Sequence, residues 1–140
     1  MNNSEERLMA IDFGEKRIGI ALSDPLRVFA YPYTTIPNDQ KLWIEMEKII
    51  VDKKVSKIIL GVPSGSNKSN SSLKSKLEHF KENIEKKFKV SVVFWNEDFT
   101  SSIAKERILE SVPKKSKRKD KALIDRNAAA VILQEFLNDQ

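Results

Sequence analysis

The chain has 140 residues, no cysteine and a net charge of +5. That length suits one domain with its own core, the absent thiols exclude disulfides and thiolate metal sites, and no apolar run approaches the roughly 18 residues of a membrane span. The charge is local. Residues 114–121 (Lys-Lys-Ser-Lys-Arg-Lys-Asp-Lys) hold six basic residues against one acid, and the rest of the chain is balanced at nineteen of each, so one short loop carries the whole phosphate-attracting excess. The polar, acidic start from Met1 to Arg7 does not read as a secretion signal, and a soluble cytoplasmic protein is expected.

Leu8 to Asp12 is apolar, and Arg17 to Ser23 alternates less cleanly and ends in the turn signal Ser23-Asp24-Pro25; with Gly14 and Glu15 between them, the two predict a β-hairpin. A third strand is expected over Tyr31 to Ile36, ended by Pro37-Asn38-Asp39. Asp39 then caps a helix from Gln40 to Lys53 with the stripe Leu42, Trp43, Met46, Ile49 and Ile50. Lys57 to Val62 is apolar on both faces, as a strand covered by helices must be. Pro63 to Ser72 reads as a loop, and Leu73, Leu77, Phe80, Ile84 and Phe88 then recur at helical spacing. Ser91 to Asn96 predicts another strand, Thr100 to Ser111 a helix stopped by Pro113, and Lys121 to Leu137 a last helix after the basic loop. The order predicts a single α/β domain over 1–140. Its sheet is mixed, a three-strand antiparallel meander plus parallel strands, covered by about four helices.

Three acids stand out. Asp12 and Glu97 each end an apolar strand, where α/β sheets place ligands because side chains converge outside a rigid edge. Asp125 heads the stripe Ala128, Ala129 and Ile132 of the last helix, so it faces the core and needs a cation or strong donors; a neighbouring Lys121 or Arg126 is the local alternative. An all-oxygen trio suits Mg²⁺ or Mn²⁺, and two such ions serve in-line displacement at phosphorus. Other schemes lack parts. His79 is the only histidine and lies beside Phe80 on an amphipathic helix, which leaves no Ser-His-Asp unit and no histidine-rich zinc site. The serine of Gly61-Val62-Pro63-Ser64-Gly65 lacks a histidine partner, and there is no Walker lysine motif.

Taken together, the motifs resemble the RuvX/YqgF-like family, whose members are known as pre-16S rRNA nucleases and, earlier, as Holliday-junction resolvases. The residues that carry the resemblance are Ile11-Asp12-Phe13-Gly14-Glu15-Lys16-Arg17-Ile18-Gly19-Ile20-Ala21, Ser23-Asp24-Pro25, Gly61-Val62-Pro63, Asn96-Glu97 with Thr100, and Ile124-Asp125-Arg126-Asn127-Ala128-Ala129-Ala130 with Ile132-Leu133-Gln134. The resemblance implies an RNase H-like fold and a metal-dependent nuclease. Asp12, Glu97 and Asp125 would be catalytic metal ligands, Mg²⁺ or Mn²⁺ the cofactor, and precursor 16S rRNA, trimmed at its 5′ end, a more expected substrate than branched DNA. Lys16, Arg17, Lys114, Lys115, Lys117, Arg118 and Lys119 are the expected nucleic-acid contacts. Two positions depart from the family pattern: Asp98 follows the glutamate where relatives carry arginine, and Ser64-Gly65-Ser66-Asn67-Lys68 replaces a glycine-rich acidic loop.

Two other functions compete. Asp12-Phe13-Gly14 with Gly19 also resembles the first phosphate loop of actin-like and sugar-kinase ATPases, but those clamp a nucleotide between two such domains and 140 residues supply one. A non-catalytic nucleic-acid-binding module would use the basic loop and treat the acids as structural; it would bind equally with or without Mg²⁺ and never cut. The chain is a monomer or a homodimer in either reading, since trimming one strand needs one site and resolving a junction needs two.

Overall fold

The computed structural model describes residues 6–62, 71–96 and 121–140. The chain opens with β1 (Arg7–Phe13), β2 (Arg17–Ser23) and β3 (Ala30–Pro37), followed by α1 (Leu42–Asp52), β4 (Val55–Val62), α2 (Ser71–Phe88), β5 (Ser91–Asn96) and α3 (Lys121–Asn138). The five strands form one sheet in the order β3-β2-β1-β4-β5. The first three make the antiparallel meander, and β4 and β5 run parallel to β1. The helix expected over Thr100 to Ser111 lies outside the described residues, so three of the expected four are described.

Strand β1 is central, which explains why Leu8 to Ile11 is apolar without interruption: both of its faces are covered. Met9 and Ile11 point to one face, with Ile18, Ile20, Leu22, Ile58 and Leu60, and meet Leu42, Met46, Ile49 and Ile50 of α1 and Leu77, Phe80 and Ile84 of α2. Leu8 and Ala10 point to the other, with Ala21 and Ile59, and meet Ala129, Ile132, Leu133 and Phe136 of α3. The strand period of two and the helix period of 3.6 thus agree on a three-layer stack. Aromatic rings close the first face, with Trp43 5.4 Å from Phe80 and Phe80 4.9 Å from Phe13.

Boundaries shift where the chain turns. Helix α1 starts at Leu42 rather than Gln40, because Asp39 spends its groups one turn early: its carboxylate accepts the Lys41 N–H and its carbonyl the Leu42 N–H. Strand β4 begins at Val55, two residues early, after Lys54 adopts a left-handed φ of 53° and offers its carbonyl to the Arg7 N–H. The turn at Ser23-Asp24-Pro25 is built on Asp24, whose Oδ1 accepts the N–H groups of Val28 and Phe29. Those bonds, Phe29's above all, outweigh partial desolvation and hold the Asp24 carboxyl below the usual range.

Candidate active site where helix α3 crosses the sheet

Strand register aligns Thr35, Gly19, Asp12, Gly61 and Trp95 in one row across all five strands. Alternation from Leu8 and Ala10 puts Asp12 on the α3 face. Its neighbours on both sides are glycines, and each makes room for α3. A Cβ on Gly19 would stand 2.2 Å from the carbonyl oxygen of Asp125, and one on Gly61 would stand 2.6 Å from Cδ1 of Ile132. Helix α3 therefore touches β2 backbone to backbone beside Asp12, and Asp125 belongs to the touching turn.

Side chains fix the helix along the sheet. The Thr35 hydroxyl donates to the carbonyl of Ala122 and accepts from Nε of Arg126 at 3.2 Å. Further along, Gln134 accepts the Ala30 N–H at 2.9 Å and donates to the carbonyl of Val28 at 3.1 Å. Both anchors reach β3 or its approach, so α3 is held near each end of that strand. Arg17, on the same face as Gly19 by alternation, donates from Nε to Oδ2 of Asp125 at 2.8 Å.

A cavity of about 260 Å³ opens over this crossing, lined by Asp12, Phe13, Gly14, Glu15, Lys16, Arg17, Lys121 and Asp125. Its floor is the β1–β2 turn, braced by Asn38, which donates from Nδ2 to the Gly14 carbonyl and from its backbone N–H to the Lys16 carbonyl. Three acids and three cations thus face one small space, with two of the acids supplied by elements far apart in the chain. A larger cavity of about 560 Å³ lies between β3 and α1, with Asp39, Lys41 and Glu45 on its wall. Size does not select the site; converging charge does.

The structure brings Asp12, Asp125, Lys16 and Arg17 together, and adds Lys121 from the end of the basic segment. Glu97, Lys114, Lys115, Lys117, Arg118 and Lys119 lie outside the described residues. Strand β5 ends at Asn96, paired with Val62 at the edge of the sheet that carries Asp12. Among the described residues, no group of three or more acidic, histidine or cysteine side chains could hold an ion; Asp12 and Asp125 make an oxygen-only pair. The charge partner of Asp125 is neither Lys121 nor Arg126 but Arg17, 108 residues away, and the Asp125 side chain is 23% exposed rather than fully buried. Gly19 and Gly61 stood in the motifs but without their role as the seat of the helix, and Thr35 was missed. A glycine inside each of two apolar strands was the available signal, since such a glycine marks close approach of another backbone or side chain.

With this geometry the chain can be set beside known proteins. It is 36% identical over 135 residues to the "Putative pre-16S rRNA nuclease" of Bacteroides thetaiotaomicron, covering 96% of this chain and 97% of that one. A protein of the same name from Salinibacter ruber is 36% identical over 137 residues, covering 97% and 95%. Among solved structures, RuvC of T. thermophilus in complex with a Holliday junction substrate superposes with a TM-score of 0.64 at 10% identity, covering 96% of each chain, and the shared architecture is the RNase H-like fold. The family model described as "RuvX: Holliday junction resolvase" matches residues 6–139, almost the whole of this chain, which therefore belongs to the RuvX family.

Proposed function

We propose that the protein is a metal-dependent nuclease that hydrolyses phosphodiester bonds and trims the 5′ end of precursor 16S rRNA during ribosome biogenesis in the cytoplasm. The observation that carries this reading is the convergence of Asp12 and Asp125, from β1 and α3, on one cavity rimmed by Lys16, Arg17 and Lys121. Hard carboxylate oxygens with open space beside them suit Mg²⁺ or Mn²⁺, which take one or two carboxylates and keep places for water and phosphate. Asp12 and Asp125 would hold the metal, with Glu97 as the third donor just beyond β5. When bound, the ions supply Lewis acidity and a more acidic water. The protein's own groups do the rest: the glycine-seated helix fixes the distance between the two carboxylates, and the rim lysines meet the phosphate. Lys114, Lys115, Lys117, Arg118 and Lys119 would add affinity along the backbone without reading sequence. No helix among the described residues is long and apolar enough to cross a membrane.

The test is cleavage of precursor 16S rRNA, single-stranded RNA and a four-way DNA junction in Mn²⁺ by the parent and by Asp12→Asn, with solution mass measured alongside. Cutting of the precursor, lost in Asp12→Asn with its far-ultraviolet spectrum unchanged, is the expected result. Preference for the junction by a dimer would replace rRNA with branched DNA as substrate. Equal cutting by Asp12→Asn would remove the site.

A further inference from the structure

We propose that Arg17 is a positioning residue: it orients the Asp125 carboxylate for the metal rather than serving only as a phosphate contact. The inference rests on the metal reading given above and concerns what holds one of its ligands still. Packing on Gly19 immobilises the backbone of Asp125, so only the two side-chain torsions of that residue are left free. Arg17 fixes them. It does so from a strand, the first residue of β2, opposite Pro37 of β3, which is a rigid base for an otherwise flexible side chain.

The contact engages one oxygen of the carboxylate. Nε meets Oδ2 at 2.8 Å, a charge-assisted bond, and among the described residues Oδ1 accepts nothing. A monodentate ligand to Mg²⁺ or Mn²⁺ needs one oxygen, so the metal and the guanidinium do not compete for the same lone pairs. The pair is partly withdrawn from water, with side chains 35% and 23% exposed. The charge of Arg17 also acts against a nearby divalent cation, but that charge is spread over a guanidinium and screened by solvent at this exposure. Loss of orientation should therefore outweigh relief of repulsion, in line with the 10- to 100-fold loss in metal affinity usual when a hydrogen-bond partner of a metal ligand is removed. No bond from the two terminal nitrogens of Arg17 to a described residue accompanies the Nε contact, and the side chain lines the cavity at 35% exposure, so it can meet a phosphate oxygen while Nε stays on Asp125.

The experiment is Mn²⁺ titration by calorimetry on the full chain, using the parent, Arg17→Gln, Arg17→Lys, Asp125→Asn and the Arg17→Gln/Asp125→Asn double variant. Metal-free melting confirms that each is folded. Arg17→Gln should raise the Mn²⁺ dissociation constant by about tenfold or more, and Arg17→Lys, which keeps the charge without the planar fork, should fall between it and the parent. In the Asp125→Asn background, Arg17→Gln should add almost nothing, because the group it orients is already gone. Unchanged or tighter Mn²⁺ binding by folded Arg17→Gln, with Asp125→Asn weakened, overturns the positioning role and leaves the metal site standing. Weaker binding of metal-free nucleic acid alone would make Arg17 a phosphate contact and nothing more. Absence of saturable Mn²⁺ binding by the parent overturns the metal reading, and the inference with it.

Discussion

The two faces of the sheet are packed by different rules. Between the sheet and α1 and α2 the buried residues are large, including Met9, Ile11, Ile18, Ile20, Leu22, Ile58, Leu60 and Phe80, with no alanine in this cluster among the described residues. Beneath α3 the set is smaller and includes Ala10, Ala21 and Ala129, with Gly19 and Gly61 in the row below. Burying each large aliphatic side chain stabilises the fold by roughly 1.5–3 kcal/mol. Among the described residues the α1/α2 face therefore holds most of the hydrophobic stabilisation, while the α3 face gives up apolar volume to bring a helix backbone against a strand. The first face keeps the sheet together; the second sets where two carboxylates stand.

That division can be tested by making holes and bumps on each side. On the α1/α2 face, Ile58 is wholly buried, and Ile58→Ala should cost about 2–5 kcal/mol of unfolding free energy. Cleavage per folded molecule should stay within a few-fold of the parent, measured below the lowered melting point. A collapse of activity in the folded variant would mean that the two faces are coupled. On the α3 face, Gly19→Ala should cost a similar amount, about 3 kcal/mol or more, because the added Cβ meets helix backbone that cannot swing aside, and it should also cut activity about 100-fold, because relieving the overlap moves Asp125 by on the order of 1 Å. Full activity in Gly19→Ala would show that the helix seat does not set the site. The smallest change lies off both faces, at Asp24. Its folded pKa is depressed, so in acid the unfolded chain binds protons first. The stability this gives is present at neutral pH and is lost as pH falls from about 4 through the folded value. Asp24→Asn keeps an acceptor for Val28 and Phe29 but cannot titrate. The parent should therefore lose melting temperature relative to Asp24→Asn only below about pH 4, with activity at neutral pH alike in both.

Much of this was readable in the sequence. Uninterrupted apolar runs marked β1 and β4 as covered strands, and the 3.6 period marked all three described helices within a few residues. The stripe through Asp125, Ala128, Ala129 and Ile132 put that acid on the side of the helix that meets β2, although Ala128 is only partly buried while Ala129 and Ile132 are in the core. What failed to show were relations between distant segments. Periodicity looks along one element, so it offered Lys121 and Arg126 as partners for Asp125 and could not see Arg17 across the fold. The bonds of Thr35 to Ala122 and Arg126 were hidden for the same reason, since nothing in a strand ending in Thr34-Thr35-Ile36 says which helix will lie over it. Asp39 was recognised as a helix start but its groups close the preceding turn, a choice that depends on local dihedrals rather than residue type. Glu97 and the basic loop apart from Lys121, the other half of the expected site, lie outside the described residues.

The contact between Gly19 and Asp125 also bears on how such a sequence can drift. It joins the Cα of one residue to the carbonyl of the other, so the side chain at 125 has no part in it. A descendant that exchanged the acid for another residue would still be confined to glycine at 19, because no substitution at 125 makes room. The two positions sit side by side but answer to different selection: one preserves the chemistry, the other the packing. In a lineage that had abandoned cutting, the acid would be free to vanish while the glycine persisted. A glycine kept beside a lost acid would mark a retired enzyme, whereas loss of the glycine would signal that the helix itself had moved.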